Sequence, residues 1–414
     1  MYRIFDSAVS SIVKRGDLNV TDPAGVVHRY GDGSGVSVGI KINATAAVKI
    51  VADPDLYFGE CYVNGDLVMT EGTIYDVLSV FLQNTGNSST TASSKMMHGI
   101  RRAIRRLDQY NPVSRSKANV SHHYDLSRSL YDLFLDSDRQ YSCAYFEGDD
   151  GSLERAQLAK KRHIASKLMI QPGMRVLDIG SGWGGLAIYL AEVCGADVVG
   201  VTLSEEQLAL SRKRVEERGL SNKVSLLLRD YRTLNSNFDR IVSVGMFEHV
   251  GVGHYREFFQ KVSMLLDEQG VALLHSINRS DGPGATNAWI KKYIFPGGYI
   301  PALSEVVPHL EQLGLCVTDV EILRLHYAET LKHWASLFNA NRDEAKAIYD
   351  ERFCRMWEFY LAASECAFRF GGMNNFQIQF VKDQEALPLT RDYMVHEESR
   401  LRSIEGRLLS DAAE

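Results

Sequence analysis

Five side chains with acid–base or nucleophilic chemistry stand in segments that are otherwise largely apolar or small. Glu248 and His249 lie in GMFEHVGVG, His275 in VALLHSI, Tyr327 in LRLHYAETL, and Cys143 in RQYSCAYF. A carboxylate flanked by Met246, Phe247 and Val250 needs a polar partner once it is buried. If these segments converge, carboxylate, imidazole, phenol and thiol line one cavity. By residue type alone Cys143 is open to three readings: nucleophile, metal ligand or core filler. A metal site is not expected. Glu248, His249, His254 and His275 do not follow HExxH spacing, and the six cysteines include no CxxC pair.

A second pattern is VLDIGSGWGG at 176–185. Gly180, Gly182 and Gly185 fit GxGxxG, a weak signal by itself. The same loop also reads D-x-G-x-G-x-G, with Asp178 in a strand and Gly184 in register. A nicotinamide site expects an acid at the end of the second strand. Here DVVGVTL places Thr202 there, and Asp197 lies at the wrong end. No lysine follows the loop as in a phosphate-cradling P-loop. A nucleoside-like cofactor without a pyrophosphate fits better, and S-adenosylmethionine (SAM) is the obvious candidate.

The elements that must position these groups alternate. MRVLDIG, DVVGVTL, VSLLLRD, DRIVSVG and VALLHSI read as buried strands. LAIYLAEVCG, SEEQLALSRKRVEERG and HYREFFQKVSMLL read as helices, the second opening on Ser204 with Gln207 three residues on, a capping box. LERAQLAKKRHIASKLMI is a further helix, ending before Gln171-Pro172-Gly173. This order predicts an α/β fold with a mostly parallel, doubly wound sheet and ligands at the carboxyl ends of its strands. Helical segments at 329–350 and 351–371 carry Trp334, Leu337, Phe338, Trp357, Phe359 and Phe368, and are expected to form a lid that walls an apolar channel.

Upstream, residues 1–82 alternate short strands and turns before a helical run, TIYDVLSVFL, which predicts a small α+β domain. Residues 83–94 are polar and small, a linker composition. A basic amphipathic helix follows, with Lys95, Arg101, Arg102, Arg105 and Arg106 beside Ile100, Ile104 and Leu107. Its charges suit either a solvated face or an anionic lipid surface. The expected organisation is an N-terminal α+β domain at 1–95, basic helix and linker at 96–118, and a catalytic domain at 119–414.

The net charge of −6 gives no reason to expect nucleic acid. No window approaches a membrane span, and the N-terminus carries no signal-peptide pattern. Scattered cysteines suit a reducing cytoplasm.

In these residues the chain resembles the cyclopropane-fatty-acyl-phospholipid synthase family, which includes the mycolic acid cyclopropane synthases. The matching segments are HYDLS (123–127), YSCAYF (141–146), the D-x-G-x-G-W-G loop (178–184), TLSEEQ (202–207), FEHVG (247–251), LLHSI (273–277), IFPGG (294–298) and HYAETL (326–331). They run in order over about residues 119–380. The N-terminal segment resembles the extra domain of the full-length bacterial phospholipid enzymes, which favours phospholipid acyl chains over mycolic acids. The resemblance implies a Rossmann-like SAM-dependent methyltransferase sheet and methylene transfer from SAM to the cis double bond of an acyl chain. It implies cofactor contacts at Tyr141, Ser142, Val176, Asp178, Gly180, Gly182, Gly184, Thr202, Leu203, Gln207, Tyr231 and Arg232. It also implies a bicarbonate held by Cys143, Glu248, His275, the backbone of Ile277, and Tyr327. A related enzyme making methyl- or methylene-branched chains is the alternative. The implied setting is the inner face of the membrane, with peripheral association. The N-terminal domain could serve membrane contact, a homodimer, or both.

That chemistry asks for particular groups. An alkene is a poor nucleophile, so the sulfonium methyl must be held close and in line. Attack makes a carbocation-like centre, which wants π faces. Tyr141, Tyr145, Phe146, Phe247, Tyr293, Phe295, Tyr327 and Trp334 are the aromatics at hand. A proton must then leave the transferred methyl, to a base that does not trap the cation. An ionised Glu248 accepts only. It orients His275, accepts the bicarbonate hydroxyl, or acts as the base itself. Methyl transfer to an alkene needs no covalent cysteine, so Cys143 reads best as one wall of an anion pocket.

Overall fold

The structure is a computed structural model that describes residues 2–85, 128–148 and 151–411. The basic helix at 95–107, HYDLS and most of the expected linker lie outside the described residues.

The N-terminal part is built on a four-stranded sheet. Helix α1 (Tyr2–Ile12) precedes β1 (Asp17–Thr21), β2 (Val27–Tyr30) and β3 (Ser37–Ile42). Then come α2 (Ala44–Ala52), α3 (Pro54–Asn64), β4 (Leu67–Glu71) and α4 (Ile74–Thr85). The strand order is β2-β1-β3-β4, with β1 and β3 parallel and both outer pairs antiparallel. Alternation sets the faces: Leu18, Val20, Val38, Ile40 and Ile42 point onto Phe5, Val9 and Val77 in one buried cluster. Helix α4 continues through residues 83–85, which the polar composition had suggested were linker.

The larger part holds a seven-stranded sheet. After α5 (Arg128–Asp132) and α6 (Leu153–Leu168) come β5 (Arg175–Ile179), α7 (Gly185–Glu192), β6 (Asp197–Thr202), α8 (Glu205–Glu217), β7 (Val224–Leu228) and β8 (Phe238–Val244). Helix α9 (Tyr255–Leu265) leads into β9 (Leu266–Arg279), followed by α10 (Ala288–Tyr293), α11 (Leu303–Gln312) and β10 (Cys316–Ile322). The chain ends with α12 (His326–Ala340), α13 (Arg342–Ile348), α14 (Glu351–Phe370), β11 (Met373–Val381) and α15 (Asp392–Asp411). The order is β10-β11-β9-β8-β5-β6-β7. β5 to β9 are parallel neighbours, and β11 and β10 extend the edge antiparallel. The five strands expected from the sequence are all present. β11 is an addition, and it is the strand that flanks His275.

The turn after β5 shows why the loop is glycine-rich. Gly180, Gly182 and Gly184 all have positive φ (88°, 52° and 82°), where a side chain is strained. Gly180 is also confined, since an added Cβ would lie 2.9 Å from Met246 Cβ. At α8 the Ser204 hydroxyl accepts from Gln207 N, but the Gln207 side chain turns to Thr202 Oγ1 at 3.2 Å, so the expected capping box closes on one side only.

The two parts pack through α14. Tyr62 donates to Glu358 at 3.1 Å, and Glu60 takes hydrogen bonds from Lys292 and Tyr293. Gly59 makes the approach possible: a Cβ there would lie 2.6 Å from the Phe359 ring and 2.7 Å from Trp289. Trp334, Phe338 and Trp357 are fully buried in the cluster beneath these helices.

Candidate active site

Two cavities open at the carboxyl ends of the parallel strands and share a wall. The first, about 170 Å³, lies over the glycine loop. Of the residues expected there, Tyr141, Ser142, Asp178, Gly180, Gly182, Thr202, Leu203, Gln207, Tyr231 and Arg232 line it. Val176 and Gly184 do not. Val176 is fully buried within β5, and Gly184 caps α7, where an added Cβ would meet Ser211. Asp178 is 2% exposed, and its Oδ2 has no hydrogen-bond partner among the described residues. Burial pushes its carboxyl up to about 7. Ser181 Oγ is likewise buried and unpartnered, and a Cβ built on Gly182 meets nothing within 4 Å. A small turn thus presents open backbone and unsatisfied polar atoms to one space. Residues the sequence did not single out also line it, among them Gln140, Lys160, Asp230 and Met246. Asp230 follows β7 and is bound by Arg232 at 2.6 Å.

The second cavity is larger, about 530 Å³, and mostly apolar. Its floor is polar. Cys143, Glu248, His275, Ile277 and Tyr327 all line it, so the segments do converge. Four elements deliver them: Cys143 comes from the segment before α6, Glu248 from the turn after β8, His275 and Ile277 from β9, and Tyr327 from the first turn of α12.

Glu248 Oε1 accepts from Ile277 N at 2.7 Å, while Oε2 is buried without a partner among the described residues. Burial raises this carboxyl above the usual range, and the Ile277 N–H opposes the shift. The backbone of Ile277, expected to help hold a bicarbonate, thus commits its N–H to Glu248. His275 is not oriented by Glu248, one of the roles the sequence left open. Its ring sits between Gln377 Nε2 (3.2 Å) and Asn375 Nδ2 (3.4 Å), because the β9–β11 register sets Gln377 opposite His275 and Asn375 opposite Ile277. Desolvation pushes this imidazole down to about 3, so it is neutral at working pH. Burial pushes the Cys143 thiol well up, and the thiol donates to the Ala144 carbonyl at 3.4 Å. A thiol so placed is a poor nucleophile.

The apolar wall is shared between the two parts of the chain. Phe359, Tyr360, Phe368 and Leu331 line one side; Phe5, Ala8, Val9, Ile12, Phe58 and Phe81 line the other. Helices α12 and α14 do wall the cavity, but Trp334, Phe338 and Trp357 pack behind it. Of the aromatics expected near a cation, Tyr141, Phe295 and Tyr327 line this cavity. Trp334 stacks on Tyr141 at 5.0 Å, Tyr145 stacks on His163, and Phe247 stacks on Tyr255. Among the described residues no cluster of metal-ligating side chains occurs, and no helix is long and apolar enough to cross a membrane.

The two cavities meet at Tyr141, Ser142, Gly245 and His249, which line both. This arrangement can bring a polar cofactor and an apolar chain together over one buried acid.

Known proteins resemble this chain in sequence and fold. The family model described as "Mycolic acid cyclopropane synthetase" matches residues 112–378. The chain is 39% identical to the "Cyclopropane-fatty-acyl-phospholipid synthase" of Escherichia coli K12 over 359 residues, 84% of this chain and 91% of that protein. It is 43% identical to a "Probable fatty acid methyltransferase" of Pseudomonas putida over 287 residues, 66% of this chain and 73% of that protein. The solved mycolic acid cyclopropane synthase CmaA1, complexed with SAH and CTAB, superposes with a TM-score of 0.61 at 36% identity, covering 66% of this chain and 99% of that one. The chain belongs to the mycolic acid cyclopropane synthetase family and is a SAM-dependent methyltransferase of the cyclopropane synthase type.

Proposed function

We propose that the protein is a cyclopropane-fatty-acyl-phospholipid synthase, which transfers a methylene from SAM to the cis double bond of unsaturated phospholipid acyl chains. The observation that carries this reading is the junction: a polar glycine-loop cavity and a larger, mostly apolar cavity share the wall Tyr141–Ser142, and Glu248 lines the second. The match to the E. coli phospholipid enzyme over 84% of the chain supports the substrate class.

The first cavity fits SAM. Asp178 and Ser181 offer buried unpartnered oxygens there, and the glycine turn offers open backbone. SAM supplies an electrophilic methyl. The protein's part is positioning: Tyr141 and Ser142 hold the wall between donor and acceptor, and Phe359, Tyr360 and Phe368 keep water from the chain. The alkene π pair forms the new C–C bond as the C–S bond breaks, with its electron pair left on sulfur. Positive charge then develops on the acyl chain, facing Tyr141, Phe295 and Tyr327. One proton leaves the transferred methyl and the ring closes.

We assign the proton to a bicarbonate on the cavity floor. The residues suit a small anion carrying one hydroxyl: Tyr327 can donate, and the unpartnered Glu248 Oε2 can accept. Bicarbonate supplies an oxygen base of low nucleophilicity. Glu248, raised by burial, is the base in the alternative. Depleting CO₂ from the buffer separates the two, since the rate falls and recovers on adding bicarbonate only in the first.

The P. putida relative favours a second reading, a methyl-branched product. Purified protein, SAM and vesicles of cis-monounsaturated phospholipid test both. Acyl chains gaining one CH₂ with loss of the olefinic signal support ring formation. A gain of CH₂ with the double bond retained, or of CH₂ plus two hydrogens, supports branching. Because the substrate resides in a bilayer, we place the protein peripherally on the inner face of the membrane. Arg101, Arg102, Arg105 and Arg106 changed to Gln should weaken sedimentation with anionic vesicles, and unchanged sedimentation would remove that helix from the account.

A further inference from the structure

Helix α6 buries five basic side chains, and one of them differs from the rest. Lys161 pairs with Asp138 at 2.6 Å. Arg162 pairs with Glu147 and Glu405, His163 with Glu321 and Glu398, and Lys167 with Asp319 and Glu321. Lys160 is 1% exposed, yet its ammonium holds only neutral oxygens, Gln140 Oε1 and Ser142 Oγ, each at 2.7 Å. It makes no ion pair among the described residues. Asp136, Asp138 and Asp178 act on it through space without a direct ion pair, so the cost of burying this ammonium is only partly offset by the protein's own charges.

Lys160 lines the glycine-loop cavity. One turn earlier, Gln157 Nε2 donates to the Gln140 and Ser142 carbonyls, both at 3.1 Å. Gln157 and Lys160 thus lie on one helix face and pin the backbone and side chains around Tyr141, the wall both cavities share. With two of three protons committed to oxygens at fixed places, the third is left for the cavity. The same cavity carries the unpartnered Asp178 Oδ2. A cation and an acid facing one space make a lining suited to an amino-acid zwitterion.

We propose that Lys160 is a cofactor-binding residue whose ammonium, steadied by Gln140 and Ser142, takes the carboxylate at the amino-acid end of the cofactor. The proposal rests on the SAM reading of this cavity. Desolvation lowers the ammonium to about 8, which leaves it charged at neutral pH.

The test compares two nucleosides by calorimetry: S-adenosylhomocysteine, which keeps the amino-acid end, and 5′-methylthioadenosine, which lacks it. Lys160→Met should weaken the first by about tenfold or more, as expected for a charge-assisted contact, and leave the second unchanged. Lys160→Arg should recover part of the loss. Equal weakening of both nucleosides, or undiminished binding of S-adenosylhomocysteine, overturns the proposal and leaves Lys160 a strut for residues 140–142. Thermal melting reports folding, and Lys160→Gln, which keeps a donor for Ser142, serves if the methionine variant does not fold. Wild-type protein that binds neither nucleoside contradicts the cofactor reading itself, a separate outcome.

Discussion

The two cavities differ in how they are made. The smaller one is assembled from strand ends and the turns that follow them, with lining residues close in sequence: Asp178, Gly180 and Gly182 at one strand-to-helix junction, Thr202, Leu203 and Gln207 at the next. The larger one is assembled from elements hundreds of residues apart, with α1 and α4 facing α14 across an apolar space. Among the described residues, the first holds unsatisfied polar atoms at Asp178, Ser181 and Trp183, close to the glycine turn, and the second, in a much larger and mostly apolar lining, holds them at Glu248, Asn375 and Trp289. The lesson is a division of labour. In the proposed function, backbone and polar atoms orient a charged nucleoside, while packed side chains accept a chain with no polar handle and deliver it to one buried acid.

Substitutions on the two sides should therefore separate binding from chemistry. The largest effect is expected at the floor. Glu248→Ala should lower kcat by about 10³-fold, within the range of acid–base residues, with S-adenosylhomocysteine affinity unchanged. Parallel loss of that affinity would merge the two cavities into one functional unit. Tyr327→Phe removes only a hydroxyl and should cost about 10²-fold in kcat, read in the same turnover assay. At the far end, Ala8→Trp would fill the outer part of the apolar cavity. An increase of about tenfold in KM for long acyl chains is expected, about 1.4 kcal/mol of binding, with nucleoside binding untouched. A kcat loss without a KM change would place α1 outside the substrate path. The smallest effect belongs to Cys143→Ser, a severalfold fall. Complete inactivity with intact cofactor binding would reopen the nucleophile reading. In addition, the imidazole of His275, held near 3, stays neutral as pH rises from 4 to 8. Any kinetic limb near pH 6.5 should survive His275→Gln, and its disappearance would contradict the assignment.

The same division explains what the sequence could disclose. A glycine turn between a strand and a helix is local, so the loop at Gly180 and Gly182 was legible from spacing, while Thr202 and Gln207 were named as cofactor contacts only by the family resemblance. The polar floor was legible in residue type, because Glu248, His275 and Tyr327 interrupt apolar runs. Their partners were not. Gln377 and Asn375 reach His275 through the register of an antiparallel edge strand. Lys160 and Gln157 lie in a helix crowded with charge, where spacing does not say which side chain is paired. The lid helices were expected to turn Trp334 and Trp357 to the channel, but helical periodicity leaves open which stripe meets the core, and both pack behind the wall. The wall contributed by α1 and α4 had no local signal at all, since it exists only through the docking of the N-terminal part against α14.

The central claim is that a proton leaves the transferred methyl above Glu248 and Tyr327 before the product departs. SAM with a fully deuterated methyl group measures this directly. Turnover on vesicles of cis-monounsaturated phospholipid, followed by mass and NMR analysis of the acyl chains, should show two deuterons retained on a ring carbon and no olefinic proton. Three deuterons retained on a methyl branch would mean that no proton is taken there, and would contradict the account.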